Sequence, residues 1–339
     1  MKPLILTGWL DSEFTRSGFA DLAVSFYFRL VWGPLPPPDE LATYLGPRTP
    51  GPRTSDPARG HHWSDFAYGW HQSEQINCGN LSLAEFCQQY ETVELWFDMR
   101  PEAQLQLQLV WLLAYFSSYP DTVARLRMRV VDREMIGIIP NDLSKWRPQL
   151  IRVIEKDLAT ARAAWQAYLS PTPEACFDLL HQDLSALPLL KPVLRDLLEE
   201  LPSVSTGLGA SEMRMLEMLA SGYANVNPLF HYREVRQTRI FDEWQLGFLL
   251  DGLAFGPRPA IAGLDEKLRT IGQANFGARH EPMLRSRLSL TEFGEALVAH
   301  KEDFSRHNPI DRWWGGTHLT NDRLWRWNPV LVAPRPIGP

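Results

Sequence analysis

The sequence is poor in cysteine: Cys78, Cys87 and Cys176 are the only three in 339 residues. An odd count with no C-x-x-C spacing excludes a disulfide framework and the common thiolate zinc sites, and it predicts reduced thiols in a cytoplasmic compartment. Long apolar runs are missing too. The most apolar stretch, Leu105 to Phe116, is interrupted by Gln106 and Gln108 and is far shorter than a bilayer span. Met1 to Gly8 lacks the apolar core of a signal peptide, so none is expected. Four signatures are absent: G-x-G-x-x-G, G-x-x-x-x-G-K-[ST], H-E-x-x-H and G-x-S-x-G. Their absence removes the standard nucleotide loops, the helix-borne zinc site and the serine-hydrolase elbow, so no metal and no cofactor is assigned. Nor is there an excess of positive charge. The net charge is -6 and the pI about 5.9, which argues against a chain that coats nucleic acid by charge alone.

Aromatic residues, by contrast, are plentiful. The chain holds 13 tryptophans, four of them between Trp313 and Trp327 in a stretch that also carries Gly315-Gly316. Each indole buries a large area yet needs a partner for its N–H, so such density marks either polar-edged packing or a stacking surface. The length suits two domains. Charge divides unevenly: residues 205–339 carry 16 Lys and Arg against 15 Asp and Glu, which leaves 18 against 25 for the rest.

The first part reads as α/β. Leu4-Ile-Leu-Thr7 ends at Gly8 as a buried strand, with a helix capped by Asp11 or Ser12 expected after it. Phe26 to Trp32 is aromatic and ends at Gly33-Pro34, so it predicts a second strand, and strand–helix–strand opens a parallel sheet. Pro34 to Asn80 is rich in proline and predicts a long, mostly irregular excursion, a candidate lid, with a short helix at 39–44. Val93 to Phe97 predicts a strand, Leu105 to Phe116 a helix, and the alternation at Leu126, Met128 and Val130 another strand. Ile151, Ile154, Leu158, Ala161, Trp165 and Tyr168 fall at helical spacing. The expected division is an α/β domain at 1–143, a helical connector at 144–204, and a C-terminal domain at 205–339. In the last, helices at 211–221, 228–235 and 242–253 precede a strand and helix at 288–298. A hairpin of 317–320 with 324–327 follows. Three helices and then strands is the order of a winged helix. The fold class expected is therefore α/β, a small mostly parallel sheet with flanking helices, followed by a helical connector and a winged-helix-like α+β domain.

Taken together, several pieces resemble an uncharacterised bacterial family. These are Gly207-Leu with Glu212 and Leu216, Leu229-Phe230, Leu290-Thr-x-x-Gly294, Ile310-Asp-Arg-Trp313, Gly315-Gly-x-His-Leu319 and Trp325-Arg-Trp327, together with Gly33-Pro34 and Glu94 to Asp98 nearer the start. The family is the one named for domain of unknown function 1835. The resemblance implies an α/β N-terminal region and a helical C-terminal region, and it implies no activity. Trp9 and Phe28 stand where relatives tend to place acidic residues, which puts an acidic site at the first two strand ends in doubt.

Three groups of residues are candidates for chemistry. Asp98, with Arg100 beside it, lies just past a strand, where parallel sheets hold ligands; the alternative is that it caps the following helix or pairs with Arg100. Asp311, Arg312 and His318, with Trp325 and Arg326, can converge on a pocket walled by tryptophan, or can form a clasp that packs a hairpin on the helices. Arg233, Arg236, Arg239, Arg285 and Arg287 can meet phosphates, against a reading as surface ion pairs. His61, His62 and His71 read as a solvated loop. The function expected is a cytoplasmic accessory or regulatory protein, with a small ligand on the α/β domain and a protein or nucleic-acid partner on the C-terminal domain. The alternative is an enzyme acting on a phosphoester or nucleotide through Asp98, Asp311 and His318.

Overall fold

The computed structural model describes residues 3–8, 20, 22–26, 28–31, 33–48, 62–69, 80–97, 102–130, 149–231, 240–272, 275–328 and 336–337. The chain forms two compact units. The first comprises residues 1–30, 35–169 and 182–193, and the second residues 31–34, 170–181 and 194–339.

The first unit is an α/β body, as expected. Its strands are β1 (Leu4–Thr7), β2 (Leu22–Ser25), β3 (Ala67–Gly69), β4 (Val93–Trp96), β5 (Leu126–Val130) and β6 (Gln149–Arg152). They form one six-stranded sheet in the order β3-β2-β1-β4-β5-β6. The four central strands are parallel, and β3 and β6 close the edges antiparallel. Leu4 aligns with both Leu22 and Val93. All four residues of β1, β2 and β4 are buried, as strands covered on both faces require.

Helices α1 (Pro38–Leu45), α2 (Leu83–Cys87), α3 (Ala103–Phe116), α4 (Pro120–Val123) and α5 (Glu155–Tyr168) belong to the same unit. Ser82 and Glu85 form a capping box that starts α2. Helix α3 is buried on nearly every side. Its glutamines explain why the aromatic run after β2 is not a strand. The Gln104 amide donates to the Phe28 carbonyl and accepts the Leu30 N–H at 2.9 Å. Gln108 Nε2 donates to the carbonyls of Phe26 and Phe28 at 2.8 and 3.1 Å. Side chains of a helix thus take the backbone groups that a strand ladder would use, and the second strand lies earlier than predicted, at Leu22–Ser25. Gly8, at the end of β1, admits this helix: a Cβ there would lie 2.3 Å from Leu105 Cδ2 and 2.5 Å from Gln108 Oε1.

A second correction falls at 149–154. The helical spacing predicted a start at Ile151, but Ile151 pairs with Met128 in the sheet, and Ile154 is 55% exposed. Asp157 accepts the Ile154 N–H at 2.8 Å and so fixes the start of α5 there. The helix expected at 11–19 and much of the proline-rich stretch lie outside the described residues.

The second unit contains α6 (Glu174–Leu179), α8 (Ala210–Ala220), α9 (Val226–His231), α10 (Glu243–Phe255), α11 (Phe276–Arg285) and α12 (Glu292–Val298). The unit boundary falls within α7 (Leu190–Glu199). Its strands are short: β7 (Ile261–Ala262) pairs antiparallel with β8 (Ser289–Leu290), and Asn225 bridges Arg287 antiparallel. β9 (Asp311–Trp314) and β10 (Thr317–Thr320) make the hairpin, turning at Gly315 with φ +54°, and β11 (Arg326–Trp327) pairs with β12 (Pro336–Ile337). The hairpin predicted from 317–320 and 324–327 is therefore one strand out of place. The two glycines form its turn, with Gly315 at the first central position supplying the positive φ that a type II′ hairpin turn needs. Gly222, with φ +95°, follows the last turn of α8, the left-handed position that suits glycine after a helix. No helix among the described residues is long and apolar enough to cross a membrane.

Candidate functional site

A cleft of about 740 Å³ opens in the second unit. One side comes from α10 and the turn that follows β7, through Phe248, Asp251, Phe255, Lys267 and Arg269. The other comes from Asn308 to Trp313, and Gly33, Pro34 and Glu212 complete the lining.

Local sequence builds each wall. Asp242 caps α10, accepting the Gln245 N–H at 2.8 Å, while the Gln245 side chain accepts the Asp242 N–H at 2.9 Å. Phe248, Asp251, Gly252 and Phe255 then share one helix face at i, i+3, i+4 and i+7. Asp251 is 5% exposed; its two oxygens accept the N–H groups of Leu268 and Arg269 at 3.0 and 2.9 Å. That pair of bonds pins the turn at 268–270 against α10. The approach is close enough that a Cβ on Gly247 would fall 1.9 Å from Leu268 Cδ2. Burial raises the Asp251 pKa, and the two N–H donors and the nearby Arg269 and Lys267 charges oppose the rise.

Asn308 sets the second wall. It is 4% exposed; its Oδ1 accepts the Arg258 N–H, and its Nδ2 donates to the Arg258 carbonyl, both at 3.0 Å. Beyond it, Arg312 Nη1 pairs with Glu212 Oε2 at 2.9 Å, and that carboxylate oxygen also accepts the Gly209 N–H that opens α8. Arg312 Nη2 is buried and has no hydrogen-bond partner among the described residues. A second cavity of about 20 Å³ is lined by Arg312, Glu200 and Trp314; that is room for one water beside two charged side chains. Asp311 accepts from His318 Nε2 at 2.7 Å, and the His318 ring stacks on Trp313 at 4.5 Å and 4°.

The residues singled out in the sequence therefore separate. Asp311, Arg312 and Trp313 line the cleft, and His318 joins them through Asp311. Arg326 is engaged elsewhere: it donates to the Ser203 carbonyl and the Ser305 hydroxyl and pairs with Asp303 at 3.1 Å. Trp325 is half-buried, and neither it nor Arg326 lines the cleft. Trp314 donates to the Leu197 carbonyl at 2.6 Å, and Trp327 is buried edge-on to Phe177, so these rings do the packing of a clasp. Arg285 is paired with Glu281, and Arg287 is exposed. Asp98, Arg100, Arg233, Arg236, Arg239, His61 and His71 lie outside the described residues. His62 is buried, bonded to Ser64 Oγ at 2.7 Å and the Gly46 carbonyl at 2.9 Å, and so is not a solvated loop residue. No cluster of potential metal ligands occurs among the described residues.

Sequence reading missed Lys267, Arg269, Phe248 and Phe255. The signal available was the i, i+7 spacing of Phe248 and Phe255 on one helix face. No protein-family model and no curated protein matches the chain.

Proposed function

We propose that the protein is an accessory or regulatory protein that binds a small ligand in the cleft of its second unit, beside α10. The observation that carries this reading is the cleft. Its volume is in the usual range for ligand sites, and aromatic walls with a few charged groups are the usual lining of one. Phe255 stays 38% exposed there, an apolar ring left for something to cover. Gly33-Pro34, Glu212 and Ile310 to Trp313, all among the residues that carry the resemblance to the domain-of-unknown-function 1835 family, meet at the cleft. Membership of that bacterial family, and a cytoplasmic location, are part of the same proposal.

The proposal takes the second unit as winged-helix-like. The pairing of segments supports it. The stretch between α8 and α9 bridges Arg287 next to β8, and β8 pairs with β7. The Leu288 N–H also donates to the Ala224 carbonyl at 2.7 Å. Helix α10 then occupies the position of a reading helix. It carries no Lys or Arg, and the turn at 268–270 packs on it, so the face a nucleic acid would need has become a ligand wall. A gel-shift assay at low salt is expected to show no binding of DNA or RNA.

The direct test is a thermal-shift ligand screen run on the wild type and on Gly252→Phe. A Cβ on Gly252 meets nothing within 4 Å, so Phe there fills the cleft while leaving the helix intact. Ligands are expected to raise Tm in the wild type by mass action and not in the variant. Equal shifts in both would end the cleft reading.

One observation favours a second reading, an enzyme for phosphoester or nucleotide substrates. The Asp311–His318 pair at 2.7 Å is the arrangement that orients an imidazole as a general base. Hydrolysis of p-nitrophenyl phosphate esters, lost in both Asp311→Asn and His318→Ala, is its expected mark.

A further inference from the structure

The charged groups around the cleft are not equally committed. Glu212 is engaged by Arg312 and by the Gly209 N–H, Asp251 by two backbone N–H groups, and Asp311 by His318. Glu266, next to the cleft in sequence, is paired with Arg279 at 2.5 Å. Lys267 and Arg269 differ. Both are exposed, and neither is ion-paired with a carboxylate among the described residues. Each is instead held over an aromatic ring of the same wall: Lys267 Nζ lies 4.7 Å from the Phe255 ring centre, and the Arg269 guanidinium 5.5 Å from that of Phe248. Arg269 is steadied further by its bond to the Phe248 carbonyl at 3.1 Å. Two cations two residues apart thus stand at the cleft in no direct ion pair among the described residues; the Asp251 carboxylate, whose charge acts on both, has its two oxygens engaged by backbone N–H groups. Trp313, with one face taken by His318, lines the same cleft.

From this arrangement we infer that the cleft selects planar aromatic anions, with a carboxylate or phosphate on Lys267 and Arg269 and the ring system against Phe248, Phe255 and Trp313. The inference rests on the ligand-binding reading above and adds the class of ligand. An anion supplies the carboxylate or phosphate oxygens that the two cations lack, and charge-assisted bonds to Arg and Lys are the strong kind. A flat ring matches walls of flat rings, where offset or edge contacts add to burial. The cations are already placed over their rings, so little side-chain freedom remains to be lost on binding.

Isothermal calorimetry with three matched probes tests it: 2-naphthoate, 2-naphthyl phosphate and the neutral 2-naphthamide, against the wild type, Lys267→Met/Arg269→Met and Gly252→Phe. The expected result is that at least one anion binds ten-fold or more tighter than the amide. That advantage should vanish in the double methionine variant, and all binding should vanish in Gly252→Phe. The stronger of the two anions tells carboxylate from phosphate selection. Equal binding of amide and anions, abolished by Gly252→Phe, overturns the anion class and leaves the ligand cleft standing. An anion preference that survives in the double variant overturns the assignment to Lys267 and Arg269. Failure of all three probes, with another ligand from the screen binding in a Gly252→Phe-sensitive way, also overturns the class. Failure of probes and screen alike removes both readings. Thermal melts of each variant confirm that binding is compared between folded proteins.

Discussion

Arg312 is the residue whose role the structure most sharpens. The sequence marked it only as one of several charges near the tryptophans, whereas it is 17% exposed and joined to the 7%-exposed Glu212. Removing one partner of such a pair leaves a buried charge alone, so Arg312→Met should cost about 3–5 kcal/mol, read by urea denaturation. Asp251 makes a pH prediction. Burial raises its pKa above the ordinary 3.8, so the native state holds this proton more tightly than the unfolded chain does. Stability should therefore fall as pH rises from about 3.8 through the raised value, the window in which unfolding releases the proton. Glu266 and Glu302 are shifted downward by Arg279 and His307 and act in the opposite sense. The difference between wild type and Asp251→Asn in a series of melts against pH isolates the Asp251 part, and that difference should narrow on acidification. Neither role was legible beforehand, because Arg312 pairs with a side chain 100 residues away and Asp251 accepts backbone N–H groups 17 and 18 residues further on.

Elements were legible where one force dominated and misread where two competed. The runs of β1, β4 and β5 and the apolar face of α3 followed burial alone, and they stand where periodicity put them. The stretch 26–31 has strong strand propensity, yet glutamine amides of α3 engage the Phe26 and Phe28 carbonyls and the Leu30 N–H, and propensity yields to that. Gln108→Leu should then expose two buried carbonyls, Phe26 and Phe28, to an apolar surrounding. A loss of about 1–3 kcal/mol in denaturant unfolding is expected. At Ile151 the error was in the period: a pattern of 3 and 4 ran on past the helix start through the exposed Ile154 to Ile151, which is half-buried in the edge strand. The misplaced hairpin has a related cause. Two strand-like pieces flank Asn321 to Arg323, but positive φ at Gly315 settles which pair turns back.

At the scale of the molecule, the units are not consecutive blocks of sequence, which no local signal announces. The second unit draws on 31–34, 170–181 and 194–339. Within it Trp314 bonds the Leu197 carbonyl, Ser211 bonds Glu200 at 2.7 Å, and Trp327 meets Phe177. A fragment of residues 205–339 would lack all three partners. It should give poorly dispersed amide NMR signals and a non-cooperative melt, while residues 170–339 should give a cooperative one.

The bond from Thr317 Oγ1 to the Ser170 carbonyl joins residues 147 apart in the chain. At a synthesis rate of about 5–20 residues per second, Ser170 emerges roughly 7–30 s before its partner exists. The apolar surface of α6 and its neighbours must pass that interval uncovered, close to the ribosome. Slowing translation between codons 200 and 310 should therefore lower the soluble yield, whereas slowing it after codon 320 should not.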